Sequence, residues 1–184
     1  MAPVYTLLDA TRKNNLPLFN QLIQKENIDV NQQDKDGFTP LIYASLRSNK
    51  EMVKSLIQRN ADLNKGNLNG DGPLMWAILS NCQLVAKMLI MAGADVNQRN
   101  IQGETPLMAA AFNGDGALVY LMLEKGADAS IQDRSGQRAS DKAMKKGYSL
   151  IANRLKRLET TKKISSQKKR IVLKKILHRE ERDN

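Results

Sequence analysis

A 33-residue period is the feature that most constrains this chain of 184 residues. The octet GETPLMAA at 103–110 has a counterpart 33 residues upstream, GDGPLMWA at 70–77, and another, GFTPLIYA, at 37–44. A decayed copy, GQRASDKA, occupies 136–143. Self-similarity at such a fixed interval is typical of solenoids, in which each unit packs only on its neighbours. The period therefore predicts a stack of repeated units.

Each copy carries the signals of a turn that leads into a helix. In Asp36-Gly37 and Asn69-Gly70 the glycine supplies the positive φ that such turns need. Thr39-Pro40 and Thr105-Pro106 combine a good N-cap with a residue suited to the first helical position. Gly72 takes the place of the threonine in the third unit, which weakens that cap by about 1 kcal/mol or less.

Two helices are predicted in each unit. The first lies near 40–47, 73–80, 106–113 and 139–146. The second is marked by apolar pairs at helical spacing, Met52-Val53 with Leu56-Ile57, and these pairs recur at the same interval. Asn60, Gly93 and Gly126 are suited to ending the second helices in the left-handed conformation.

The N-terminal segment resembles a diverged first unit. A shift of 34 places Leu7 on Leu41 and Phe19 on Val53, and the extra residue falls near 26–27. Its polar run 11–15 is expected to face solvent, as the outer side of a terminal cap should.

These motifs resemble the ankyrin repeat. Gly-x-Thr-Pro-Leu occurs at 37–41 and 103–107, and Gly-Ala-Asp-Val-Asn at 93–97. The resemblance covers 1–158 in five units, about 1–34, 35–67, 68–100, 101–133 and 134–158, with the first and last as caps. It implies an all-α repeat solenoid of helix-turn-helix units, with β-hairpin finger loops along one edge and a concave face that binds proteins. The family's His after Thr-Pro-Leu is replaced by Ile42, Met75 and Met108, which favours apolar packing.

The positive charge belongs to the C-terminal part of the chain. The net charge is +10, yet residues 1–141 contain 14 Lys+Arg against 15 Asp+Glu, and residues 142–179 contain 14 Lys+Arg against one Glu. Residues 159–184 have lysine runs between Val172, Leu173, Ile176 and Leu177, which share one helical face. We predict a basic amphipathic helix within 159–184, which extends the last repeat or contacts a partner.

Nothing in the sequence favours catalysis. The single histidine, His178, lies in the basic segment, and the single cysteine, Cys82, has no histidine near it and is interpreted as structural. Carboxylate pairs such as Asp34 and Asp36 occupy turn positions, where Asp stabilises the turn. Metal-ligand spacing and glycine-rich phosphate loops are missing. The expectation is a protein that is not an enzyme and takes no cofactor and no metal.

The resemblance selects a set of partner-facing positions. In the family these are the finger tips and the outward side of the first helix. The set includes the only Trp and two of the three Phe, and aromatic residues are common anchors of interfaces. Tyr43 and Trp76 also fit packing between adjacent helices. The candidate partner-binding residues are Lys35, Asp36, Phe38, Tyr43, Leu46, Arg47, Leu68, Asn69, Asp71, Trp76, Leu79, Ile101, Gln102, Glu104, Phe112, Asn113, Arg134, Lys145 and Lys146.

The functional expectation is a non-catalytic protein-binding module. It would inhibit, regulate or protect by occluding one protein partner on the concave face, in the manner of an immunity protein. An enzyme with an acidic patch is one candidate partner, because Arg134, Lys145 and Lys146 form a positive edge. The alternative is an adaptor that binds nucleic acid or an anionic membrane through its basic C-terminal helix, although aromatic residues for base stacking are missing there.

Residues 1–20 lack the apolar core of a signal peptide, so the chain as written is expected to be cytoplasmic. A monomer is expected when no partner is bound. It would be periplasmic or exported if a signal peptide has been removed.

Overall fold

The chain folds into pairs of short helices stacked in one direction. A computed structural model describes residues 5–159, and all but the first residue of the predicted basic segment 159–184 lies outside this range. Within it the secondary structure consists of ten helices and no strand, as the all-α prediction required. The helices are α1 (Leu7–Arg12), α2 (Leu16–Ile23), α3 (Pro40–Leu46), α4 (Lys50–Gln58), α5 (Pro73–Leu79), α6 (Gln83–Met91), α7 (Pro106–Asn113), α8 (Gly116–Glu124), α9 (Ala139–Lys145) and α10 (149–159).

Helices at equivalent places in successive units pack side by side. The first helices form one layer in the order α1, α3, α5, α7 and α9, and the second helices α2, α4, α6 and α8 form another. Aliphatic side chains fill the space between the layers, with Leu41, Leu74 and Leu107 almost fully buried at period-equivalent positions. Ala44, Ala77 and Ala110 are completely buried beside them, and their small side chains allow the helices to approach closely. The core is therefore a continuous seam along the stack.

The finger loops are held by one side chain per unit. Asp34 Oδ1 accepts the backbone N–H groups of Asp36 and Phe38, at 3.0 and 2.9 Å. The same two bonds, to the residues two and four positions later, are repeated by Asn67, Asn100 and Asp133. Each loop is closed by hydrogen bonds of the hairpin kind, although no residue within 5–159 belongs to a strand.

Neighbouring loops are joined in series by single backbone hydrogen bonds. Leu68 N–H donates to the Asp36 carbonyl at 3.1 Å, and Ile101 N–H donates to the Asn69 carbonyl at 2.8 Å. Arg134 N–H completes the series on the Gln102 carbonyl, also at 2.8 Å. The loops thus form one ladder along the edge of the stack, which fixes the spacing of their tips.

The capping predictions are confirmed in detail. The Thr39 hydroxyl accepts the Ile42 N–H at 3.1 Å, whereas Gly72 leaves α5 without a side-chain cap. Asn60, Gly93 and Gly126 follow the second helices with positive φ. Ile42, Met75 and Met108 are buried, so the apolar packing predicted at the family's histidine position is also confirmed.

One expectation for the first unit is wrong. Within the polar run 11–15 the side chain of Thr11 is completely buried. Its hydroxyl oxygen lies 3.0 and 2.9 Å from the carbonyl oxygens of Leu7 and Leu8, so it satisfies its hydrogen bond inside α1. A threonine can therefore occupy the inner face of the cap, where Ser45 stands in the next unit.

Candidate functional site

The first helices and the finger loops together form the inner surface of the stack. A cleft of about 330 Å³ opens on this surface where the third, fourth and fifth units meet. Such a volume lies at the lower end of the range for sites that hold a small molecule or a protruding side chain. The cleft is lined by Asp71, Met75, Leu79, Asn100, Gln102, Glu104, Met108, Ala109, Phe112 and Lys142.

The floor and one wall of the cleft are apolar. Met75 and Met108 are buried beneath it, at the position where the family carries histidine. Leu79 and Phe112 stand beside them with 53% and 39% of their surface exposed. Leu79 and Phe112 thus leave an exposed apolar area at the cleft.

The cleft also has polar lining residues, which are joined by hydrogen bonds between neighbouring units. Asp71 Oδ1 accepts a hydrogen bond from Asn100 Nδ2 at 2.9 Å, which ties the finger loop at 67–71 to the finger loop at 100–104. Glu104 Oε1 pairs with Lys142 Nζ at 2.9 Å, which ties the fourth loop to α9. Among the described residues Asp71 has no ion pair, so its carboxylate can receive a donor from a partner.

Lys142 is held by two carboxylates. Its Nζ also lies 2.8 Å from Asp133 Oδ2, whose side chain is only 4% exposed. Burial alone would lower the pKa of Lys142, but its hydrogen bonds to Asp133 and Glu104 outweigh this effect and raise it. Burial would likewise raise the pKa of Asp133, yet the hydrogen bonds from Lys142, Ser135 and the Gln137 N–H hold it well below its usual range. Both groups are therefore charged at neutral pH.

An aromatic cluster lies nearer the N-terminal end of the inner surface. The Phe38 ring centroid is 5.1 Å from that of Tyr43 and 5.3 Å from that of Trp76. All three side chains are half-buried, and Trp76 Nε1 is buried with no hydrogen-bond partner among residues 5–159. Trp76 thus packs against Phe38 of the preceding unit, whereas Tyr43 packs against Phe38 of its own unit, and both rings stay partly exposed.

Tyr43 is fixed by its own finger loop. Its hydroxyl donates to Asp34 Oδ2 at 2.6 Å. Burial and this hydrogen bond raise the pKa of Tyr43 to about 12, so it is the protonated donor. Burial would raise the pKa of Asp34, but the hydrogen bonds from Tyr43 and from the Phe38 N–H lower it below its ordinary value.

The C-terminal edge of the inner surface is basic. Lys146 Nζ lies 4.3 Å from the centroid of the Phe112 ring, within the range of a cation–π contact. Arg134 and Lys145 are exposed on the same unit. The structure thus brings one of the three predicted cations directly to the apolar cleft.

The remaining predicted residues are distributed along this surface, and several have structural partners. Arg47 Nη2 donates to the Arg12 carbonyl at 3.4 Å, and Asn113 Nδ2 donates to the Ile78 carbonyl at 3.0 Å. Leu46 is half-buried. Arg47 and Asn113 are nevertheless exposed, as are six other members of the set, Lys35, Asp36, Leu68, Asn69, Ile101 and Gln102. Binding by any of these residues stays a prediction.

Comparison with known families settles the kind of repeat. A family model for three consecutive ankyrin repeats matches residues 7–100, and a model for a single ankyrin repeat matches residues 102–134. The chain belongs to the ankyrin repeat family. Ankyrin repeats are protein–protein interaction modules. Partner contacts of this ankyrin repeat protein are therefore expected on the inner surface. A comparison with curated proteins gave no match.

Five residues of the cleft, Met75, Asn100, Met108, Ala109 and Lys142, were absent from the predicted set, and Lys142 had a clear signal. Lys142 stands 33 residues after Ala109, which itself follows Trp76 and Tyr43 at the same interval. The period alone therefore places Lys142 on the inner surface, although Lys145 and Lys146 were the lysines predicted to bind a partner in that unit. Met75, Met108 and Asn100 carry no such signal, because Met75 and Met108 are buried and Asn100 holds a turn.

The described part of the chain shows neither a metal-ligand cluster nor a membrane-spanning helix. Between residues 5 and 159 the His, Cys, Asp and Glu side chains do not gather in groups of three or more that could hold a metal ion. In the same range no helix has the length and apolar character needed to cross a membrane. Cys82 caps the start of α6 without a side-chain hydrogen bond and packs partly against the core.

Proposed function

We propose that this ankyrin repeat protein is a non-catalytic regulator that binds one protein partner on its inner surface and occludes it. The observation that supports this proposal is the cleft between the third and fifth units, where exposed Leu79 and Phe112 stand over buried methionines and face a polar wall. A large apolar side chain of the partner would enter the cleft and exclude water there. Anchors of this kind, buried at the centre of an interface with a polar rim, supply most of the binding energy in protein complexes.

The surrounding charges support a particular orientation of the partner. Asp71 offers a carboxylate at one side of the cleft, and Lys146 with Lys145 and Arg134 offers positive charge at the other. An acidic patch on the partner is therefore expected to lie over the fifth unit. Such complementarity raises the association rate and fixes the register more than it adds affinity.

Occlusion follows from the shape of the contact. A partner surface seated across several units is withdrawn from solvent and from other molecules. We therefore propose inhibition, or protection of the cell against one of its own enzymes, as the consequence of binding.

The test begins with purification of the partner on the full chain from the organism of origin. Its affinity is then measured by calorimetry for Leu79→Ser and Phe112→Ala, with Lys54→Ser on α4 as a matched surface control. We expect each inner-surface variant to weaken binding by about 2 kcal/mol or more. The control should leave binding unchanged, and circular dichroism should confirm that all three variants stay folded.

A chain truncated after 159 separates this proposal from the alternative. We expect it to keep most of its affinity. If truncation abolishes binding while Leu79→Ser and Phe112→Ala do not, the basic segment carries the function and the inner-surface proposal fails. A salt titration with duplex DNA and with anionic vesicles then identifies which polyanion that segment binds.

A further inference from the structure

The polar lining of the cleft is one chain of hydrogen bonds that crosses three units. Asn100 lies in its middle, where Nδ2 donates to Asp71 Oδ1 at 2.9 Å and Oδ1 accepts the Glu104 N–H at 2.9 Å. Glu104 Oε1 lies 2.9 Å from Lys142 Nζ, which is also 2.8 Å from Asp133 Oδ2. All of these residues except Asp133 line the cleft. They form one connected surface, and Asp71 stands at one end of it.

Negative charge is in excess along this chain of hydrogen bonds. Lys142 is shared by Glu104 and Asp133, so its single positive charge is outweighed before Asp71 is counted. A second cation, Lys146, lies on an aromatic ring of the cleft. Three carboxylates thus stand against two ammonium groups. The negative charge that no cation of the chain balances falls on Asp71, because it forms no ion pair with any residue in the range 5–159.

One oxygen of the Asp71 carboxylate has no donor. Oδ1 is occupied by Asn100, whereas Oδ2 accepts no hydrogen bond from the residues that the structure describes. The backbone of Asp71 is fixed on both sides, because its N–H donates to Asn67 Oδ1 at 3.0 Å and its carbonyl accepts the Asn67 N–H at 3.1 Å. The carboxylate is therefore held at the cleft by its own loop and by the next one.

A partner that covers the cleft changes the surroundings of Asp71. The proposed function seats an apolar side chain over Leu79 and Phe112, which line the same cleft as Asp71, and so withdraws this carboxylate from water. A carboxylate that is desolvated without a donor lowers the affinity of the complex. One that meets a cation there forms a strong, charge-assisted hydrogen bond. The cleft therefore selects a partner that has a positive group next to its apolar one.

We propose that the partner presents an arginine side chain to Asp71, beside the apolar side chain that packs on Leu79 and Phe112. The arginine is assigned on the basis of the proposed function, to which it adds the chemical class of a group that the partner carries. A guanidinium suits this place because it is planar, has five N–H donors and is more weakly hydrated than an ammonium group. Its aliphatic stem lies along apolar surface, here over Met75 and Met108, while its charged end stays at the carboxylate.

The arginine and the acidic patch expected on the partner occupy different places. The acidic patch faces Arg134, Lys145 and Lys146 of the fifth unit, whereas the arginine faces Asp71 of the third. A partner bound in the reverse orientation would bring like charges together, which is costly. The two signs together therefore favour one orientation along the stack.

The test uses the full chain, with a phage library of randomised peptides as the probe. Peptides are selected on the wild-type protein and depleted on Phe112→Ala, so that those retained depend on the cleft. We expect the retained peptides to combine an arginine with a large apolar residue. Their affinities are measured by fluorescence anisotropy, with and without replacement of that arginine by citrulline, which has a similar shape and no charge. The replacement should weaken binding to the wild type by about tenfold or more.

Asp71→Asn tests whether this residue receives the arginine. The variant keeps an oxygen acceptor for Asn100 and removes the charge. We expect it to weaken the arginine peptide by about tenfold or more and to bind the arginine and citrulline peptides about equally. Glu51→Gln removes one charge from α4, which does not line the cleft, and should leave both affinities unchanged. Circular dichroism should show that both variants stay folded.

Different outcomes overturn the arginine assignment and the proposed function. If the peptides depend on Phe112 but carry no arginine, or bind Asp71→Asn as tightly as the wild type, the assignment is wrong and the proposed function is unaffected. If no selected peptide depends on Phe112, both are wrong. If truncation after 159 raises the peptide affinity by tenfold or more, the chain's own basic residues occupy the cleft, and the assignment to a partner is overturned.

Discussion

Lys142 Nζ lies 2.8 Å from Asp133 Oδ2, in a pair whose two side chains are 16% and 4% exposed. The two residues are separated by nine positions, as are Tyr43 and Asp34, whose hydrogen bond occupies the same place three units earlier. In both cases a side chain of the first helix holds the finger loop of its own unit. The first helix is therefore linked to the finger loop by a tyrosine hydroxyl in one unit and by a lysine ammonium group in the other.

Removal of this donor should destabilise the fifth unit. Lys142→Met keeps most of the aliphatic stem but leaves Asp133 buried without its cation. We expect the free energy of unfolding to fall by about 2–3 kcal/mol, measured by urea denaturation. Lys145→Met removes an exposed lysine of the same helix and should change it by less than about 0.5 kcal/mol. Equal effects of the two variants would show that the pair contributes nothing specific.

The acid limb of the stability profile should depend on Asp133. Its pKa is lower in the folded protein than its ordinary value of about 3.9, so its contribution is complete above that pH and is lost as the pH falls below it. Asp133→Asn keeps an oxygen acceptor for the loop, as Asn67 and Asn100 do naturally. We expect the variant to lose less stability than the wild type between about pH 4 and pH 2. Parallel curves for the two proteins would contradict this assignment.

The missing cap of α5 can be restored only if Gln98 gives way. A Cβ at Gly72 would clash with Gln98 Oε1, and Gln98 Nε2 itself donates to the Asn64 and Gly70 carbonyls. Gly72→Thr alone should therefore bring no gain. In a Gln98→Ala background the same change should add about 0.5–1 kcal/mol through the new cap. A double-mutant cycle from thermal or urea unfolding measures this coupling, and additive effects would refute it.

Gly114 and Gly116 should respond oppositely to alanine. Gly114 has a φ of +75°, and a Cβ there would clash with the Tyr148 ring, so Gly114→Ala should displace the segment that leads into α10. We expect a loss of about 2 kcal/mol or more. Gly116→Ala places its methyl group in ordinary contact with Ile151 at 3.8 Å and improves helix propensity, so its effect should be neutral or stabilising. Unfolding curves for the two variants provide the comparison.

The scaffold could be derived from the sequence because its signals repeat. Turn glycines, threonine caps and leucine spacing are local features, and four copies at one interval fix their register. Thr11 was misplaced because its hydroxyl finds its acceptor inside α1, which no polarity pattern reveals.

The cleft was less predictable than the scaffold. It arises where Leu79, Glu104, Phe112 and Lys142 from three units converge, and its volume depends on how far apart the side chains of neighbouring units stand.

A stack of identical units would offer a partner several equivalent binding positions, each shifted from the next by one repeat. The equivalent inner positions 43, 76, 109 and 142 hold Tyr, Trp, Ala and Lys, so adjacent units differ at this position. The repeat spaces these four positions evenly along the stack, and their different side chains distinguish one position from the next. A partner that contacted these positions would meet a different side chain in each unit, which is expected to fix its register along the stack.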